Sequence, residues 1–97
     1  MGQLEVSVRM RVRPGQIEGV KRQAAECIRV TREKDTKTLR CDWYLSNDGT
    51  ECEIREAYVD SDGVIEHRAN VGGPLNKLLT EFAGDQIVSV YGQCRVA

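Results

Sequence analysis

From Gln3 to Arg13 the chain alternates without a break, with Leu4, Val6, Val8, Met10 and Val12 on one side and Glu5, Ser7, Arg9, Arg11 and Arg13 on the other. A period of two over that length specifies a strand with one face buried and one wetted. The period then turns helical. Ile17, Val20, Ala24, Cys27 and Ile28 form an apolar stripe from about Gln16 to Arg32, with Pro14 tolerated in the first turn, although Gly19 in its interior costs about 1 kcal/mol relative to alanine. The polar run Arg32 to Lys37 reads as a loop. Leu39, Cys41, Trp43 and Leu45 next alternate against Arg40, Asp42 and Tyr44, and Asn47-Asp48-Gly49 supplies residues that tolerate positive φ, so a third strand from Glu51 to Val59 follows as a hairpin. Helical spacing resumes from about Asp62 to Val71, breaks at Gly72-Gly73-Pro74 and returns with Leu75, Leu78, Leu79 and Phe82 until Gly84. Ile87, Val88, Val90 and Tyr91 make a last strand.

This order predicts an α+β, ferredoxin-like βαββαβ fold: a four-stranded antiparallel sheet with helices on one face, the second helical segment split in two. The 97 residues suit one domain, burying about 60 to 70% of the surface of the unfolded chain. The other sheet face would carry Glu5, Arg9, Arg11, Arg40, Asp42, Tyr44, Glu53 and Arg55, covered by solvent or by a second copy.

Charged residues make up 30% of the chain and sum to a formal charge of -1, which offers neither a basic footprint for nucleic acid nor a polybasic patch for a membrane. Nor do the wetted positions of the first and third strands, Ser7, Arg9, Arg11, Glu53, Arg55 and Ala57, supply the aromatics an RNA-binding sheet needs. Met1 to Val12 alternates, unlike a signal peptide or an anchor, so a cytoplasmic protein is expected. Cys27, Cys41, Cys52 and Cys94 form no C-x-x-C pair, and one histidine cannot complete a usual Cys/His zinc quartet. No metal is expected. The cysteines read as small buried hydrophobes, the alternative being a redox role for Cys94. Asp60-Ser61-Asp62-Gly63 lacks the remaining ligands of a calcium loop and reads as a helix cap. Arg13 and Arg68 could steer an anionic substrate, but read more simply as solvated surface residues.

Cys52, Ile54, Glu56 and Tyr58 share one parity, and the apolar members turn it inward, so Glu56 points into the core. An unpaired carboxylate there would cost several kcal/mol, on the order expected for a buried charge, and so calls for a partner or an aqueous cavity. Val64, His67 and Val71 follow helical spacing, which puts the only imidazole on an inward stripe. Glu56 and His67 can therefore meet, either as an acid–base site or as a satisfied core pair fastening the second helix to the sheet, with Tyr58 and Trp43 filling volume around it.

Glu56-Ala57-Tyr58-Val59-Asp60, then His67 on the next helix, then Gly73-Pro74 and a leucine-rich helix, resembles the antibiotic biosynthesis monooxygenase domain of the dimeric α+β barrel group. The Arg13-Pro14-Gly15 helix start and Cys41 with Tyr44 on the second strand extend the likeness over nearly the whole chain. The resemblance implies a homodimer whose sheets face each other and a small cavity in each subunit between sheet and helices. It implies oxidation of a phenol or quinol by molecular oxygen with no cofactor, metal or flavin. His67, Glu56 and Tyr58 would be the catalytic residues, the imidazole or the carboxylate taking the substrate proton, while Trp43, inward on the second strand, would wall the cavity and bind substrate. The alternatives are a non-catalytic ligand-binding or structural dimer, an isomerase on the same fold, and a haem-degrading monooxygenase. Haem breakdown would need an asparagine on the first strand and a tryptophan beside the second helix, where this chain offers Ser7 and Tyr58.

Overall fold

The computed structural model describes residues 2–92. They form β1 (Leu4–Val12), α1 (Ile17–Lys34), β2 (Thr38–Leu45), β3 (Glu51–Tyr58), α2 (Ser61–Glu81) and β4 (Ala83–Gly92). The four strands make one antiparallel sheet in the order β2-β3-β1-β4, the ferredoxin-like arrangement. Cys94 lies outside the described residues.

The long alternating strand takes a central place because it has the most apolar side chains to hide. Val6, Val8, Met10 and Val12 are buried and join Ile54, Tyr58 and Cys52 of β3 with Val20 and Leu78 of the helices in one core. Register sets Val6 opposite Glu56 and Val8 opposite Ile54, so the face that carries the core also carries the carboxylate.

Besides Ala57, which is buried, and α1, which runs on to Lys34, four local features depart from the sequence expectations. Pro14 is not in the first turn of α1: the Gln16 N–H donates to the Arg13 carbonyl at 3.0 Å and Gly15 has φ 77°, the geometry of a turn with proline and glycine at its centre. The expected break at Gly72-Gly73-Pro74 does not occur, and α2 runs unbroken through Pro74. Val71 and Leu78, two turns apart on either side of the proline, are both buried, so packing keeps the two halves in phase. Gln23 of α1 also donates to the Pro74 carbonyl at 3.1 Å. Gly84 is not a helix stop but the second residue of β4, entered directly after Phe82. Leu39 has the inward parity of its strand, but the β2–β3 register shifts between Thr38 and Arg40, and this irregularity leaves Leu39 56% exposed.

The glycine inside α1 also finds its reason here. A Cβ on Gly19 would overlap the Phe82 ring, so the missing side chain lets α1 and the end of α2 close on each other. Gly19→Ala gains helix propensity but overpacks this contact, and a net loss of about 1–3 kcal/mol is expected in urea unfolding. Unchanged stability would mean that the ring moves aside freely.

On the outer sheet face Arg55 pairs with Glu53 at 2.9 Å and Arg40 with Asp42 at 2.6 Å. Ile87 and Tyr91 of β4 lie opposite Arg9 and Glu5 and add 57% and 65% exposed apolar side chains to that face. Among the described residues no helix is long and apolar enough to cross a membrane.

Candidate acid–base site

β3 and α2 deliver the candidate residues through a tight connection. The Asp60 side chain caps α2 by accepting from the Gly63 N–H at 3.3 Å, as the sequence suggests. Gly63 has no room for a side chain: a Cβ would lie 3.0 Å from the Lys37 carbonyl and from Tyr58 Cβ. This closeness seats the first turns of α2 against the sheet and puts His67 beside Glu56. On the neighbouring strand Cys41 pairs with Glu56 and Trp43 with Ile54, which places both side chains on the same sheet face.

His67 and Glu56 do meet, with His67 Nε2 3.6 Å from Glu56 Oε2. Both are buried, at 6% and 9% exposure. The Tyr58 hydroxyl donates to Glu56 Oε1 at 2.7 Å, and the Tyr58 and His67 rings stand 5.6 Å apart at a tilt of 56°. Burial, then the Glu56 charge, raises the Tyr58 pKa, so the phenol stays a hydrogen-bond donor at neutral pH.

The shortest polar contact of His67 is with a residue of the polar run that follows α1. Asp35, just past the end of α1, holds His67 Nδ1 at 2.7 Å and has a side chain only 2% exposed. It also accepts from Asn70 Nδ2 at 2.8 Å and from the Thr38 hydroxyl at 2.5 Å. One clue was available: an acid at a helix C-terminus opposes the helix dipole and so needs compensation. Glu66 reinforces the junction, accepting from the Thr36 and Lys37 N–H groups at 2.8 and 3.1 Å. The result is a line of contacts, Asp35–His67–Glu56–Tyr58, drawn from the α1–β2 junction, α2 and β3.

The charges follow from this geometry. Burial is the largest influence on Asp35 and pushes its pKa up, but the hydrogen bonds from Asn70, Thr38 and His67 together outweigh it, and the net shift is downward. An ionised Asp35 can only accept, so His67 Nδ1 carries the proton and Nε2 is the titrating nitrogen. Burial likewise pushes His67 down, yet hydrogen bonding and charge from Glu56 and Asp35 prevail, and its pKa is raised above the ordinary 6.5.

These shifts fix a pH dependence of stability. The raised His67 pKa contributes fully below 6.5, and the contribution is lost as pH rises through the raised value. The lowered Asp35 pKa contributes above the ordinary 3.8, and the contribution is lost as pH falls through the lowered value. Asp35, Glu56, Tyr58 and Cys41 are the titratable groups set around the imidazole. With a chelator present, the urea midpoint should be highest between these limits and decline above pH 6.5; His67→Gln should abolish the alkaline decline. A midpoint that rises with pH across the histidine range would contradict the assignment.

Two further side chains bear on the chemistry. Burial, then Glu56, pushes the Cys41 thiol up to about 12, so it is no nucleophile at neutral pH. Its sulfur, a Glu56 carboxylate oxygen and a His67 ring nitrogen all lie within 4.8 Å of one another. Among the described residues, Trp43 Nε1 is the only buried side-chain nitrogen or oxygen without a hydrogen-bond partner of ordinary geometry; the Cys41 sulfur, a weak acceptor, is the group beside it. A cleft of about 290 Å³ between the end of α1 and β2 reaches the cluster at Asp35 and Cys41, with Ile28, Thr31 and Leu39 also in its walls. A similar hollow of about 300 Å³ lies on the outer sheet side around Arg9, Tyr44 and Glu53, where the inward acid–base groups are not exposed. Ser7 donates to Glu53 Oε2 at 3.3 Å; it belongs to that outer face and does not join His67.

The described fold and the inward cluster define a ferredoxin-like α+β protein with a buried, doubly held imidazole. No family model matches the sequence, and no curated protein matches it. Solved structures do. Protein SO0527 from Shewanella oneidensis is similar with a TM-score of 0.84 and 21% identity, covering 95% of this chain and 91% of its own. A Nitrosomonas europaea protein described as a candidate antibiotic biosynthesis monooxygenase gives a TM-score of 0.83 at 18% identity over 96% and 92% of the two chains. Rv0793 from Mycobacterium tuberculosis gives 0.75 at 26% identity over 99% of each. The chain thus has the fold expected from the resemblance, shared with the solved structure described as a candidate antibiotic biosynthesis monooxygenase.

Proposed function

We propose that residues 1–97 act as one domain, paired with a second copy through the outer sheet face, and oxidise a small phenol or quinol with molecular oxygen. The observation that carries this reading is the buried His67, its Nδ1 tied to Asp35 at 2.7 Å and its Nε2 turned to Glu56 at 3.6 Å; the adjoining cleft has Asp35 and Cys41 in its walls, and His67, Glu56, Tyr58 and Trp43 lie behind them. An imidazole oriented by a carboxylate on one nitrogen is a base on the other, and the carboxylate stabilises the cation that forms.

The proton of a bound phenol passes to His67 Nε2, where Glu56 stabilises the new N–H. The Trp43 N–H is a donor for the substrate oxygen. The electron-rich anion gives one electron to oxygen, the resulting radicals combine at a ring carbon, and loss of water from the peroxide gives the product. For a quinol the sum is quinol plus dioxygen to hydroxyquinone plus water. The substrate supplies every reducing electron, so the scheme requires no cofactor. The nearby solved structure described as a candidate monooxygenase supports the reading. The exposed Ile87 and Tyr91 support pairing through the outer face.

The opposing reading, a non-catalytic domain in which the same residues only fasten α2 to the sheet, draws on the satisfied hydrogen bonds of Tyr58, His67 and Asp35. An oxygen electrode separates the two. Chelator-treated protein given a panel of phenols and quinols should consume one dioxygen per quinol converted to hydroxyquinone. No uptake above the protein-free rate with any member of the panel would favour the structural role.

A further inference from the structure

We propose that Cys41, Glu56 and His67 form a binding site for a divalent transition-metal ion of the zinc class, and that filling it withdraws His67 from acid–base use. The second half rests on the oxygenase reading; the binding itself does not. The sequence expectation against a metal counted cysteine and histidine only, and left out a carboxylate brought in by strand pairing.

Thiolate, imidazole and carboxylate are the donor set of zinc and of its spectroscopic substitute cobalt; the incoming ion displaces the Cys41 thiol proton, which is released to solvent. Usual metal–ligand lengths set tetrahedral ligand atoms about 3.4–3.6 Å apart. His67 Nε2 and Glu56 Oε2 are already 3.6 Å apart, and the three donors lie within 4.8 Å of one another, so a small turn of the Cys41 side chain completes the triangle. The donors are fixed by the fold: Cys41 and Glu56 are a directly opposed pair on β2 and β3, and α2 lays His67 over them.

The surroundings match those of a metal site. Asp35 grips His67 Nδ1 at 2.7 Å, leaving Nε2 to ligate, in the carboxylate–histidine–metal arrangement that sets ring orientation and basicity. Tyr58 donates to Glu56 Oε1 at 2.7 Å, which leaves Oε2 for the ion. A dication facing one thiolate and one carboxylate is close to neutral, which suits a buried site. The cleft with Cys41 and Asp35 in its walls gives the ion a way in from the Cys41 side.

The test is titration of Co²⁺ into the reduced, metal-free full chain, followed by absorbance. One equivalent should bind and produce a near-ultraviolet thiolate-to-cobalt band that Zn²⁺ erases. Cys41→Ser should lose the band while keeping its far-ultraviolet circular dichroism. Asp35→Asn, which leaves all three ligands in place but weakens the acceptor that holds His67 Nδ1, should weaken binding by about 10- to 100-fold. The absence of a thiolate band in the unaltered protein, or a band that persists in folded Cys41→Ser, would overturn the site. If Cys41→Ser does not fold, Cys41→Ala read by Zn²⁺-induced thermal stabilisation takes its place, and stabilisation equal to that of the parent would overturn the site. Zn²⁺ should also stop oxygen uptake; uptake that continues with the site filled would overturn the inhibitory half. Cobalt binding without any quinol turnover would defeat the oxygenase reading and leave the site standing, whereas turnover without cobalt binding would do the reverse.

Discussion

Replacing His67 with glutamine should lower quinol turnover by about 10²- to 10⁴-fold, the usual worth of a positioned general base. Glutamine keeps much of the volume and an N–H that can still reach Asp35, so the core around Val71 and Tyr58 should remain packed and circular dichroism should be unchanged. What glutamine lacks is a nitrogen that takes a proton near neutral pH. The loss should therefore fall on kcat, with KM little altered, because the base acts on the bound substrate. Turnover within about twofold of the parent would remove histidine from the mechanism and leave Glu56 as the remaining base.

Asp35→Ala should cost about 3–5 kcal/mol of folding stability, the range for breaking a buried ionic pair by removing one partner. Three donors lose their acceptor at once: His67 Nδ1, Asn70 Nδ2 and the Thr38 hydroxyl. Asp35→Asn keeps one acceptor oxygen and should fall between alanine and the parent. For a domain of this size the alanine loss is a large share of the whole, since native stability is typically about 5–15 kcal/mol. Urea unfolding at pH 6 measures it. A loss below about 1 kcal/mol would mean that Asp35 is a surface acid resting against the helix, not the residue that orients the imidazole.

The part of this site readable in the sequence is the part governed by local periodicity. Strand parity turns Glu56 and Tyr58 inward, helix phase turns His67 towards them, and the structure brings His67 Nε2 and Glu56 Oε2 to 3.6 Å. For Asp35 the local signal goes no further than an acid at a helix C-terminus; its role depends on His67, 32 residues away. Cys41 had the right parity, but its place opposite Glu56 depends on the register, which Leu39 shifts by interrupting the β2–β3 pairing. The same limit applies to α2. Gly72-Gly73-Pro74 carries the local signature of a break, and the burial of Val71 and Leu78 on one stripe overrides it.

The proposed chemistry depends on an imidazole held between two carboxylates away from water. Nitrogen-15 NMR of histidine-labelled, chelator-treated protein observes that state directly, because His67 is the only histidine in the chain. The expected spectrum shows Nδ1 protonated throughout, its proton shifted downfield and slow to exchange, and Nε2 titrating above the ordinary 6.5. A ring that titrates at or below that value, with the proton on Nε2 in the neutral form and fast exchange with solvent, would contradict the account.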